Sequence, residues 1–291
     1  MQNLKGLIKT MRPKQWTKNA ILFAALIFDA KLLRPKYLLQ TILGFILFCL
    51  ISGVVYTIND LVDVEKDRQH PQKRRRPLAS GALSPRFAIV AAGVIGVGSL
   101  AIGFWLNTIF AWILSGYLAI QIAYSFKLKQ IVLLDVMTIA AGFVLRVGAG
   151  VPLVDAERFS PWLYICTTLL ALFLGLGKRR GELLLLEEEA HNHRATLRSY
   201  NLPFLDQLMS VVTSSTVLAY ALYTFSAPSL PGNHTMMLTI PFVIYGIFRY
   251  LFLIHVRHWT MPPDEVLLKD RPSQINIALW GLSAVAILYI G

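Results

Sequence analysis

Residues 38–58 read LLQTILGFILFCLISGVVYTI, a run without a single formal charge. An α-helix needs about 20 consecutive apolar residues to cross a hydrocarbon core of roughly 30 Å, so this stretch predicts a transmembrane helix. Working outward, comparable runs lie near 16–33, 87–106, 108–126, 131–150, 161–177, 205–227, 235–256 and 274–290, nine expected spans in all. The composition agrees: 55% of the 291 residues are hydrophobic and 15% charged, against about 25% charged in soluble domains, which excludes a water-soluble protein. The expected class is an all-α polytopic membrane protein. Short connections such as Asn107-Thr108 and 229–234 favour antiparallel neighbours in one bundle, a single domain over 1–291 without a short-period repeat. The first run follows Lys5, Lys9, Arg12, Lys14 and Lys18 and lacks a small-residue cleavage pattern, so it reads as a retained helix.

The formal net charge of +12 does not point to nucleic acid, because the 28 basic residues sit in short loops between apolar runs, where they set topology and meet anionic headgroups. Most fall on the side of the N-terminus, whereas Lys31, Arg34, Lys36 and Arg158 fall opposite. The positive-inside rule therefore puts the N-terminus and the long polar loops in the cytoplasm, in a multi-pass protein of the plasma (inner) membrane. Three cations in the first outer loop exceed what that rule expects. Cys49 and Cys166 both lie in apolar runs and read as free structural thiols, excluding a disulfide-built domain.

The chemistry concentrates in residues 56–86, YTINDLVDVEKDRQHPQKRRRPLASGALSPR. Asn59, Asp63 and Asp67 are spaced by four, so on a helix each step turns about 400° and the three stay within roughly 80° of one another over about 12 Å. Stacked acids at a membrane edge need a compensating cation. Oxygen donors without paired histidines or cysteines point to Mg²⁺, which is held by one or two carboxylates plus substrate phosphates. The bland alternative is a solvated helix end paired with Lys66, Arg68 and the basic run. Lys73, Arg74, Arg75 and Arg76 either retain the loop in the cytoplasm or present guanidinium forks to phosphate.

A second constellation is YSFKLKQIVLLDVMTIAAGFVLR, residues 124–146, with Tyr124, Lys127, Lys129, Asp135 and Arg146. Eleven helical steps from Asp135 to Arg146 return to within about 20° of the same face, some 16 Å along the axis, so both are expected to line one polar cavity unless they form a structural polar pair. Lys14, Trp16, Lys18 and Asn19 make a cationic, aromatic entry to the first span. Lys178, Arg179, Arg180 and Glu182 close the sixth. His191 and His193 point apart at i, i+2 and read as part of a solvated surface helix beside the Glu187–Glu189 run, not as a metal pair.

Taken together, Asn59-Asp60-x-x-Asp63-x-x-x-Asp67 followed by Arg68-x-His70-Pro71-x-Lys73-Arg74-x-Arg76-Pro77 resembles the first acidic motif of the UbiA superfamily of intramembrane transferases. RPKQWTKN (12–19), YSFKLKQIVLLD (124–135), GFVLR (142–146), LGKRRGELLLL (176–186), IPFVIYGIFRYLFL (240–253) and PDEVLLKDRP (263–272) resemble its decaprenyl-phosphate phosphoribosyltransferase branch. The resemblance implies a nine-helix bundle around a cavity facing the cytoplasm. It also implies transfer of 5-phosphoribose from phosphoribosyl diphosphate to a polyprenyl phosphate, in the supply of a lipid-linked pentose for cell-wall arabinan. The implied site has Mg²⁺ on Asn59, Asp63 and Asp67, with Asp135 assisting the metal or the ribose hydroxyls. Lys18, Asn19, Tyr124, Lys129, Arg146, Lys178, Arg179, Arg74 and Arg76 are its candidate substrate-binding residues.

One departure narrows the reading: prenyl-transferring members usually carry two acids four apart in the second motif, and here Ile139 stands four residues after Asp135. Fewer carboxylates and more cations suit a site facing two phosphorylated substrates. The competing expectations are a UbiA-type prenyltransferase acting on an aromatic or polar acceptor, and a non-enzymatic transporter or lipid-binding bundle. No Gly/Pro-broken symmetry between halves favours the latter. Self-association into a homo-oligomer is left open.

Overall fold

Proline, fixed at a helical φ and lacking an N–H that a first turn leaves unused anyway, opens helix after helix in this chain. The computed structural model describes residues 2–155, 161–188, 197, 199–227, 230, 232–261 and 263–290. Among them the regular elements are all helical. The α-helices are α1 (Gln2–Thr10), α2 (Ala24–Phe28), α3 (Pro35–Val62), α4 (Val64–Gln69), α5 (Pro85–Leu106), α6 (Thr108–Phe126), α7 (Leu134–Gly150), α8 (Pro161–Glu188), α9 (Leu202–Ser226), α10 (Ile240–His255), α11 (Pro263–Lys269) and α12 (Arg271–Ile290). Eight of the described helical segments are long and apolar enough to cross a membrane, and they match eight of the expected spans within four residues, except that Pro161–Leu185 runs eight residues past the expected 161–177. On α5, Ile89, Val90, Val94 and Val97 are all at least 59% exposed, the pattern of a lipid-facing surface.

The first expected span differs. Residues 16–33 do not form one α-helix; Pro13–Phe23 is a 3₁₀ helix that passes into the short α2. A 3₁₀ helix rises about 2.0 Å per residue against 1.5 Å for an α-helix, so these 16 residues extend about 30 Å. The surplus of cations in the following loop also has a local cause. Lys31 Nζ donates to the carbonyls of Val154 (2.9 Å) and Asp155 (3.2 Å) and pairs with Asp29, while Lys36 faces the Asp155 carboxylate. The histidines His191 and His193 lie outside the described residues.

The chain divides into two compact units. The first comprises Met1–Ile131 and Val144–Arg158. Its core gathers Leu22, Phe48, Ile51, Phe110, Leu114, Tyr117, Ala149 and Leu153. Asn107 alone joins α5 to α6: its side chain accepts from Phe110 N (3.0 Å) as an N-cap, and its amide donates to Pro152 O (3.2 Å). Leu7, Met11, Leu78 and Leu83 pack α1 against the loop that follows α4.

The second unit comprises Val132–Phe143 and Phe159–Gly291, with Val136, Phe173, Leu176, Leu205, Met209, Tyr250 and Leu253 at its centre. Asp270 caps α12 through Ser273 N (3.0 Å) and takes two bonds from Arg249; those bonds hold its carboxyl down at about 2. Cys49 and Cys166 are both free. A Cβ at Gly181 of α8 would collide with the backbone carbonyl oxygen of Thr260, which has no rotamer to escape into. Gly181→Ala is therefore expected to destabilise the protein by about 1–3 kcal/mol, read as a lowered melting temperature in detergent; an unchanged melt would show that the 260 loop yields.

Candidate active site

The acidic stretch starts as the last turns of α3 and continues into α4 across a single non-helical residue, Asp63 (φ −95°, ψ 6°). The i→i−4 bonds nevertheless run on: Asp63 N to Asn59 O at 3.0 Å and Asp67 N to Asp63 O at 2.8 Å. The helical backbone under Asn59, Asp63 and Asp67 thus continues across that one residue.

Each acid of this stretch meets a cation. Lys129, buried at the 3₁₀ turn Leu128–Gln130, donates to both oxygens of Asp63 at 2.9 and 2.8 Å. Arg76 Nη1 bridges Asp67 (2.7 Å) and Asp60 (3.1 Å), and Arg12 Nη2 reaches the same Asp60 oxygen at 2.5 Å. Asp60 is the most deeply buried of the three acids, with a side chain 3% exposed. Sequence reasoning gave it no role, because it lies about 100° off the stripe of period four. Arg12, a topological charge and the first residue of RPKQWTKN, had no assigned role in the site either. Arg74 sits exposed in the turn Lys73–Arg75, and Lys18 and Tyr124 are half-buried.

Deeper along α3 the same face carries a second polar group. Arg146 Nε donates to Asn19 Oδ1 (2.7 Å) and Nη2 to Tyr117 OH (2.7 Å), with the guanidinium carbon 4.6 Å from the Tyr117 ring centroid. Ser52 Oγ donates to Asn19 Oδ1 (3.3 Å), and the Asn19 amide nitrogen points at Cys49 Sγ (3.4 Å). All four polar residues are buried.

The second unit has its own polar centre. Leu133 adopts a left-handed φ of 67°, a strained conformation for a leucine, immediately before α7. Its N–H donates to Tyr200 OH (2.8 Å), and Tyr200 OH donates to Asp135 Oδ1 (2.8 Å). Arg179 Nε lies 3.0 Å from the other Asp135 oxygen, out of line for a hydrogen bond, and forms an ion pair with side-chain exposures of 1% and 0%. Arg179 also pairs with Glu182, one turn on. Burial, followed by the Asp135 carboxylate, pushes the Tyr200 hydroxyl up to about 12, so it stays a donor at neutral pH. Next to Arg179, Lys178 is half-buried, while Arg180 bonds Asp206 (2.7 Å) and the Ile254 carbonyl (3.3 Å). Asp135 and Arg146, eleven residues apart on α7, belong to different units and have separate partners. No sequence signal marked Tyr200.

Asn59, Asp63 and Asp67 offer only oxygen donors, the chemistry suited to Mg²⁺. Among the described residues no three acidic, histidine or cysteine side chains are gathered into a preformed cage; the acids are held by cations instead. These residues fit an ion that arrives with phosphate oxygens, since Mg²⁺ is commonly held by one or two carboxylates plus the substrate.

Fold and site together define a polytopic α-helical membrane protein with buried clusters of paired acids and cations. The chain belongs to the UbiA prenyltransferase family, whose model matches residues 20–264. It is 34% identical to the decaprenyl-phosphate phosphoribosyltransferase of Mycolicibacterium smegmatis, covering 95% of this chain and 90% of that one. It is 32% identical to the enzyme of the same name from Corynebacterium glutamicum, covering 98% and 87%. A UbiA homolog from Archaeoglobus fulgidus bound to DMAPP and Mg²⁺ has the same fold, with a TM-score of 0.75 at 21% identity over 98% of this chain and 99% of that one.

Proposed function

We propose that this chain, as a single transferase domain, moves 5-phosphoribose from phosphoribosyl diphosphate to a polyprenyl phosphate and releases diphosphate. The observation that carries the reading is the pairing of Arg12, Arg76 and Lys129 with the acids of the first motif, together with the named relatives. Asn59, Asp63 and Asp67 would hold Mg²⁺, which supplies neutralisation of the leaving diphosphate. Lys129 and Arg76 are then released from their carboxylates to donate to diphosphate oxygens. The C1–O bond to diphosphate breaks with oxocarbenium character at the anomeric carbon, and an oxygen of the lipid phosphate forms the new bond to C1. That nucleophile is already anionic at neutral pH, so the reaction needs no general base.

Tyr124 and Arg74 are candidates for ribose or phosphate oxygens, and Lys18 for a phosphate. Arg179 and Lys178 are the second unit's candidates for phosphate charge, with Asp135 holding Arg179 in place. The distribution of Lys and Arg supports a plasma-membrane protein with its N-terminus and acidic motif in the cytoplasm.

The test is transfer of sugar-labelled phosphoribosyl diphosphate to polyprenyl phosphate by protein in nanodiscs, following label into the organic phase. Label is expected there with Mg²⁺ and lipid present and absent when either is omitted. No transfer across several lipid lengths, but prenylation of an acceptor from polyprenyl diphosphate, would assign the conventional family reaction instead.

A further inference from the structure

We propose that the buried group Asn19, Ser52, Tyr117 and Arg146 is the subsite for the 5-phosphate of the pentose donor, an assignment that rests on the phosphoribosyl reading above. Ser52 precedes Asn59 by seven residues on α3, which turns about 700° and returns to within roughly 20° of the same face, about 10 Å further along the axis. The acidic motif and the arginine group therefore share one face of α3, about two helical turns apart. A phosphoribosyl diphosphate molecule carries anionic groups at opposite ends of its ribose. A donor with a prenyl tail presents hydrocarbon where this chain places a guanidinium, and a buried charge facing hydrocarbon is costly.

The group is built for a phosphate. The Asn19 amide is oriented by Cys49 Sγ, so that its carbonyl faces Arg146 Nε and Ser52 Oγ. Tyr117 OH accepts from Arg146 Nη2 and lies 3.4 Å from Ser52 Oγ, so the guanidinium and both hydroxyls are linked in one network. The guanidinium fork matches phosphate oxygens, and Arg146 keeps the most exposure of the four, at 8%. Leu22, Phe48, Ile51, Ala149 and Leu153 pack with the Tyr117 ring as buried core. A terminal sugar phosphate needs no exit through such packing, whereas a lipid phosphate would have to lead its tail out through it.

The experiment compares two donors, phosphoribosyl diphosphate and ribosyl 1-diphosphate lacking the 5-phosphate, in wild type, Arg146→Gln, Arg146→Lys and Tyr117→Phe, with helicity checked by circular dichroism. Wild type is expected to prefer the 5-phosphorylated donor by at least about 100-fold in kcat/KM. Arg146→Gln should lower kcat/KM for that donor by about 100-fold and for the other by less than about 3-fold, with Arg146→Lys between and Tyr117→Phe near 10-fold. The KM for lipid phosphate should not move.

Equal losses with both donors, or an effect confined to the KM for lipid phosphate, would overturn the assignment, the latter giving the group to the acceptor. If Arg146→Gln does not fold, the donor ratio of Tyr117→Phe decides. Wild type that transfers no phosphoribose defeats the underlying reading; wild type that transfers it, with a donor ratio unmoved by the substitutions, defeats the subsite alone.

Discussion

Asp63→Ala and Asp67→Ala are each expected to lower phosphoribosyl transfer at least about 1,000-fold, some 4 kcal/mol of transition-state stabilisation, while leaving the helical content intact. Two losses combine in each variant. On the proposed assignment the metal would lose an oxygen ligand, and a cation that the carboxylate had held, Lys129 for Asp63 or Arg76 for Asp67, loses its resting position. The fold survives because the bonds carrying the chain through this bend, from Asp63 and Asp67 to the residues four earlier, are backbone bonds. Transfer assays paired with thermal melts check both halves. Activity within tenfold of wild type in either variant would remove that residue from the metal site.

The second large effect is on stability. Replacing Arg179 by methionine strands Asp135, whose side chain is wholly buried and whose ion pair is with that guanidinium. Removing one partner of a buried pair costs about 3–5 kcal/mol, because the remaining charge is uncompensated. Adding Asp135→Asn to Arg179→Met should restore most of that stability, since a neutral amide can still accept from Tyr200 OH. Chemical denaturation in detergent measures the recovery. Transfer should not recover with it if Arg179 holds a substrate phosphate. Full activity in the stable double variant would make the pair purely architectural.

The parts of this protein legible in its sequence are those carried by local periodicity. Eight membrane-crossing helices follow from the length of apolar runs, and the Asn59, Asp63, Asp67 stack from a spacing of four that the backbone honours even through a bend. The segment Pro13–Phe28 escaped because hydropathy reports apolar length in residues, while a 3₁₀ helix covers more distance with each one. What remained hidden is long-range pairing. Asp60 finds Arg12 48 residues away and Arg76 16 residues away, and Asp135 finds Tyr200 at a separation of 65. No helical period links such partners, and only the folded chain brings them together.

Three acids and three cations at the first motif have a consequence for how this protein comes into being. Because Asp60, Asp63 and Asp67 are matched by Arg12, Arg76 and Lys129, the newly made chain can settle into the bilayer without waiting for a divalent ion. A zinc finger that is a random chain until its ion binds works the other way round. On the proposed reading assembly and metal loading are separate events, and a cell short of magnesium is expected to accumulate a finished but idle enzyme rather than a misfolded one.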